Sequence, residues 1–196
     1  MYKKNLFILF CAAICALGCT PKDNKETPKD FSCIQIFDTN GLALGTHGDC
    51  AAGSDDWGAF ALDAAEQALL NFSDTVGLAG TAATGIQNVF CFPIPVRIDD
   101  PLYLTVRSDV PGQPIKVKIA IADESLNAVK QYALRTATNS TFAVQISPDD
   151  FQTGQYYRVY YRASVAGKEN LFEGHGNFLV CKTFISNGLS IETDCK

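Results

Sequence analysis

Strict alternation in the second half of the chain is the strongest constraint on its fold. Ile115, Val117, Ile119 and Ile121 are separated by Lys116, Lys118 and Ala120, and Ala122 follows. Successive side chains of a strand point to opposite faces, so this run predicts a strand with one buried and one solvated face. Phe142, Val144 and Ile146 repeat the pattern. From Val89 onward, short apolar runs recur with turn chemistry between them, as at Asp123–Asn127, Pro148-Asp149 and Gly154. That rhythm predicts a mainly β fold, an antiparallel β-sandwich over residues 89–184. Tyr156–Val165 reads as its longest strand and Asn177–Phe184 as the closing one. At 196 residues the chain is too short for a (β/α)8 barrel of about 250 residues. A hydrophobic content of 47% is enough for a packed core.

The stretch before Val89 differs. Cys33–Phe37 fits a short strand. GLALGTHGDCAAGSDD, residues 41–56, is rich in Gly and Asp and reads as loop. Asp63 followed three residues later by Glu66 has the form of a capping box, and good helix formers follow. The spacing predicts one short helix over 64–71. GLAGTAATG, residues 77–85, reads as a second loop. Residues 32–88 are thus expected to be a loop-rich region, and residues 185–196 a C-terminal tail.

The N-terminus belongs to another kind of segment. Lys3 and Lys4 precede Leu6–Leu17, a run of 12 uncharged and mostly apolar residues. Spanning a bilayer takes about 20. Residues 1–18 therefore read as a signal peptide. Ala16-Leu17-Gly18-Cys19 resembles the lipobox of bacterial lipoproteins, with Ala16 where Leu is usual. The resemblance implies that Cys19 carries a diacylglycerol and that the preceding peptide is removed. An ordinary signal peptide ending at a chance cysteine is the plainer alternative. Residues 19–31, CTPKDNKETPKDF, hold charges of both signs and two prolines, and read as a flexible tether. Lys22, Asp23 and Glu26 loosely resemble the charged export signal of Bacteroidetes surface lipoproteins, but Asn24 and Lys25 interrupt the acidic cluster. An outer-membrane anchor facing the cell exterior and one facing the periplasm both stay open.

A second resemblance covers about half the chain. FPIPV (92–96), PLYLTV (101–106), IKVKIAIADESLNAVKQYAL (115–134), TFAVQIS (141–147), TGQYYRVYY (153–161) and FLVCK (178–182) follow one another in order. The series resembles the C-terminal Ig-like β-sandwich module of Bacteroidetes secreted proteins. It departs at Ile94, where Asn is common, and at Asn127, near the usual Gly turn. In those proteins the module can serve as a type IX secretion signal. A lipid-anchored chain has no need of one, so the resemblance implies only the Ig-like shape.

Charge and cysteines bound the partners. Without Lys3 and Lys4, 14 of the 16 basic residues face 21 acidic ones, a formal charge of −7. No basic run exists, which makes nucleic acid and anionic headgroups poor partners, and no nucleic acid is expected. Membrane association would come through the acyl chains. Beyond Cys19 stand Cys33, Cys50, Cys91, Cys181 and Cys195. An exported chain meets an oxidising compartment, so disulfides are expected. Cys33 with Cys50, and Cys91 with Cys181 if their strands are neighbours, would leave Cys195 over; other pairings stay open. No C-x-x-C pair supports a thioredoxin-like or zinc-ribbon site.

Little in the sequence points to catalysis. His47, near Asp49 and Cys50, and His175, between two glycines, are the only histidines. A nucleophile needs an activating base and an orienting acid, and neither a G-x-S-x-G nor an H-x-x-x-H motif is present. Both read as loop histidines, with no catalytic residue and no cofactor expected. Asp38, Asn40, Asp49, Asp55 and Asp56 would be candidate calcium ligands. The EF-hand spacing is absent and such residues also make turns, so no metal is expected. Tyr156, Arg158, Tyr160 and Arg162 fall on one face of their strand, with Tyr157, Val159 and Tyr161 on the core side. That Tyr-Arg ladder would stack on sugars or grip a protein, or else make ordinary cross-strand contacts. Asp74-Thr75-Val76 resembles the Bacteroidetes O-glycosylation acceptor. Together these readings predict a lipid-anchored, non-enzymatic binding or assembly module with a glycan or protein partner. The rivals are an envelope-anchored hydrolase using the Asp/His loop and a structural subunit joining neighbours by strand addition.

Overall fold

The computed structural model describes residues 29–48, 50, 57–78, 85–186 and 191–195. The signal segment, Cys19 and most of the tether lie outside the described residues, as do Asp49, Asp55 and Asp56. In chain order the elements are β1 (Ile34–Phe37), β2 (Ala43–His47), β3 (Gly58–Ala59), α1 (Ala64–Leu69), β4 (Ile86–Phe92), β5 (Val96–Arg97) and β6 (Pro101–Ser108). There follow β7 (Pro114–Ala122), β8 (Ala128–Ala137), β9 (Thr141–Gln145), β10 (Tyr156–Val165), β11 (Lys168–Cys181), β12 (Thr183–Ser186) and β13 (Ile191–Asp194).

These strands form a mainly β, sandwich-like fold with one short helix. The larger sheet runs β3-β11-β10-β7-β8, with β5 joining β11 in parallel. The smaller sheet runs β4-β6-β9. Alternation supplies the core between them. Ile115, Val117, Ile119 and Ile121 of β7 join Tyr157, Val159 and Tyr161 of β10 in one buried cluster with Val89, Leu102, Leu104, Val106 and Val144 of the small sheet. Each fully buried aliphatic side chain of this kind contributes about 1.5–3 kcal/mol relative to exposure.

The other face of β7 is not solvated as predicted. Leu62, Leu69 and Leu70 pack on Ala120, Ala122 and Tyr160 in a second cluster. The short alanine side chains make room for α1. Its capping box forms as the sequence predicts: Glu66 N–H donates to the Asp63 carboxylate at 2.9 Å, and Asp63 N–H to Glu66 Oε2 at 3.0 Å. The helix ends at Leu69 rather than at residue 71, with Leu70 as C-cap.

Segments on either side of residues 89–184 pair with the strands of the sandwich or with each other. Residues 32–88 lend short strands to the sandwich: β1 bridges to Ile94, β3 extends the edge of β11, and 43–47 is strand β2 rather than loop. Lys29–Phe31 belong to the fold rather than to the tether, and Phe31 is fully buried. β11, with 14 residues, outruns the 10 of β10. Its polar start at Lys168-Glu169-Asn170 hides it from a hydrophobic pattern. The expected C-terminal tail contains β13, which pairs with β12 as a hairpin.

Two disulfides are formed. Cys33–Cys50 is the predicted pair. Cys181 bonds to Cys195, not to Cys91. The reason is sheet membership: Cys91 faces the core from β4 of the small sheet, opposite Leu104, while Cys181 ends β11 of the large one. The β12–β13 hairpin returns the chain to that end, where Lys182 N–H donates to the Asp194 carbonyl at 2.7 Å. No helix among the described residues is long and apolar enough to cross a membrane.

Candidate functional site

The Tyr-Arg ladder keeps its predicted alternation but is not an open face. Tyr160 is fully buried and Arg158 only 9% exposed. Arg158 Nε donates to Asn177 Oδ1 at 2.5 Å, and its Nη2 donates to the Asp30 carbonyl at 3.2 Å. Its guanidinium lies 4.3 Å from the Phe31 ring centroid. Glu66 Oε1 approaches Arg158 at 3.9 Å and Lys29 at 3.3 Å, and accepts from the Tyr160 hydroxyl at 3.4 Å. A buried charge is tolerated only when paired, and the capping-box glutamate supplies the pairing. Burial pushes the Tyr160 phenol up, and the bond to Asp63 at 2.6 Å raises Lys29. The middle of the ladder is thus interior packing beneath residues 29–33 and α1. Only its ends reach the surface: Tyr156 is half-buried beside Asp123 and Asp150, and Arg162 pairs with Glu173 at 3.1 Å beside Phe60 and Gln67.

His175 is a strand residue rather than a loop one. It lies mid-β11 opposite Tyr160, stacked on Phe60 with ring centroids 4.5 Å apart. The flanking glycines have a packing cause. A Cβ at Gly176 would overlap the ring of buried Trp57, and one at Gly174 would overlap the Gly58 carbonyl. Desolvation first, then the nearby Arg158 charge, lower the His175 pKa to about 4. It is neutral at pH 7, and its Nδ1 is buried with no hydrogen-bond partner among the described residues. His47 lies exposed on β2, paired in register with Ile34. Cys50 is held in a disulfide and offers no thiol. Asp38 accepts from the backbone N–H groups of Asn40 and Leu42, each at 2.8 Å, which is the work of a turn residue. Among the described residues no group of three His, Cys, Asp or Glu is placed to hold a metal. Asp74 pairs with Lys118 at 3.0 Å, and Thr75 beside it is exposed.

The outer face of the small sheet has a different character. Phe37, Phe90, Phe92 and Tyr103 form a chain of rings with successive centroids 5.3, 5.8 and 5.6 Å apart. The β1–β2 turn rests on it through Gly41, whose φ of 77° and contacts with Phe90 and Phe92 leave little room for a side chain. Arg107 Cζ stands 4.9 Å over the Phe90 ring. The Thr105 and Thr141 hydroxyls share a hydrogen bond of 2.8 Å. Asn139 brackets Ser108, donating to its carbonyl and accepting from its N–H, both at 3.0 Å. Asn40, Phe90, Phe92, Thr105, Arg107, Asn139 and Thr141 line a cleft of about 300 Å³. Tyr103 flanks it at 36% exposure, and Leu42 on the neighbouring turn is 63% exposed. Among the described residues no carboxylate lies within ion-pair distance of Arg107. Aromatic faces with a few converging polar groups are the make-up of a ligand site.

No family model matches the chain, and no curated protein matches it.

The cleft escaped the sequence reading because four separate segments build it. Phe90 is buried and Phe92 packs against it, and only the β4–β6 register sets them opposite Thr105 and Tyr103. One signal was visible: in β6, the polar or part-polar Tyr103, Thr105 and Arg107 alternate with the apolar, buried Leu102, Leu104 and Val106.

Proposed function

We propose that this chain is a lipid-anchored outer-membrane lipoprotein, with its β-sandwich as a non-enzymatic binding module for a glycan or protein. The observation that carries the proposal is the N-terminal series: a basic start, a short apolar run, Gly18-Cys19, and a tether that ends docked on the sandwich. Lys29 N–H donates to the Glu124 carbonyl at 3.0 Å, beside the β7–β8 turn. From Cys19 to Lys29 the chain spans at most about 36 Å. The sandwich is therefore held close to the membrane, with the β7–β8 end nearest the anchor. Two disulfides suit an exported chain.

Radiolabelled palmitate incorporation in wild type and Cys19→Ala, with protease added to intact cells, tests the proposal. Label that depends on Cys19 is the expected result. Label that survives Cys19→Ala overturns the anchor. With that label in place, a protein shaved from outside turns the module toward extracellular partners and an unshaved one toward periplasmic partners.

A further inference from the structure

We infer that the cleft on the outer face of β4 and β6 binds an acidic saccharide, Arg107 taking a carboxylate and Phe92 and Tyr103 the sugar ring. This rests on the binding-module reading above and names the ligand for it. Arg107 is exposed, and its guanidinium is positioned over Phe90 without a carboxylate partner among the described residues. A guanidinium presents a rigid fork of N–H donors that matches a carboxylate in two parallel hydrogen bonds. Stacking on Phe90 fixes the fork in advance, so less conformational freedom is lost on binding. Phe92 is half-buried and Tyr103 partly exposed, with rings 5.6 Å apart, and together they offer an apolar surface for the C–H face of a pyranose. Asn40 and Thr141 are exposed at the rim and can exchange hydrogen bonds with sugar hydroxyls.

Size and charge narrow the ligand. About 300 Å³ lies at the small end of ligand pockets, room for one or two sugar units. The chain as a whole is acidic, with a formal charge of −5, so no general field draws anions to it. An anionic ligand would be held by the local cation, at short range. A peptide fits less well. Strand addition needs a free backbone edge, whereas the cleft floor is built from side chains of strands already paired to each other.

The test uses the full chain in detergent on an array of uronate- and sialate-terminated oligosaccharides, each beside its carboxyl-reduced counterpart. Binding to acidic members alone is expected. Arg107→Gln and Phe92→Ala should each weaken it at least tenfold, while Arg135→Gln, on β8, leaves it unchanged. Circular-dichroism melting of Arg107→Gln should match wild type, since that side chain is exposed. No acidic member bound at millimolar concentration, equal binding of the reduced counterparts, or an unaffected Arg107→Gln overturns the inference. An equal loss in Arg135→Gln would overturn it too, by assigning the effect to bulk charge. The Cys19→Ala protein should bind as wild type does, so failure on the array and failure of lipid labelling are separate results.

Discussion

His175 shows how one residue's surroundings become a property of the whole fold. Its pKa is about 4 in the native chain against 6.5 in an unfolded one. Between those values the unfolded chain binds more protons, so stability falls as pH drops through the window and is fully present above it. The effect amounts to at most about 3 kcal/mol. Urea unfolding midpoints at about pH 7 and about pH 4.5 should differ in wild type, and His175→Gln should flatten the difference. Equal midpoints in wild type would contradict the burial. The neighbouring glycines suggest a loop when read as sequence, because their purpose lies in a distant residue, Trp57. Gly176→Ala should cost about 3 kcal/mol as the ring is displaced. Gly77→Ala, which meets nothing within 4 Å, should stay within about 0.5 kcal/mol. Chemical denaturation of the pair checks both.

At the scale of elements, α1 and β10 were legible and their relation was not. The capping box and the alternation of Tyr156–Arg162 are local patterns. That six helical residues close the polar face of β10 depends on Leu62, Leu69 and Leu70 finding Ala120 and Ala122 from far along the chain. Glu66 links the two elements, so Glu66→Ala leaves Arg158 without its carboxylate and should cost about 3–5 kcal/mol. Tyr160→Ala should cost about as much through the cavity it opens. An exposed ligand face would show neither loss, and thermal melting distinguishes the cases. The Cys181–Cys195 bond was equally hidden, because pairing follows sheet membership rather than spacing. It closes a short loop with a sequence separation of 14. Cys195→Ser should therefore lower stability by about 3 kcal/mol in the chain-entropy model, read as a fall in Tm under non-reducing conditions.

For the whole molecule, alternating runs after Val89 were enough to give a two-sheet sandwich, because period two with turns between strands has few packed solutions. They were not enough to show that β1, β3 and α1 complete it, since those segments are short and rich in Gly, Asp and Ala. The result is a sandwich with one outer face closed by α1 and the other only partly covered, by the β1–β2 turn. The β10 side is sealed by residues 29–33 and α1, and the β4–β6 side carries the ring cluster and Arg107. Oxidative footprinting of tyrosines in the intact chain, read by mass spectrometry, tests this arrangement most directly. Tyr103 should be modified rapidly, with Tyr160 and Tyr161 protected until the chain unfolds. Modification of Tyr160 as fast as Tyr103 in the folded protein would contradict it.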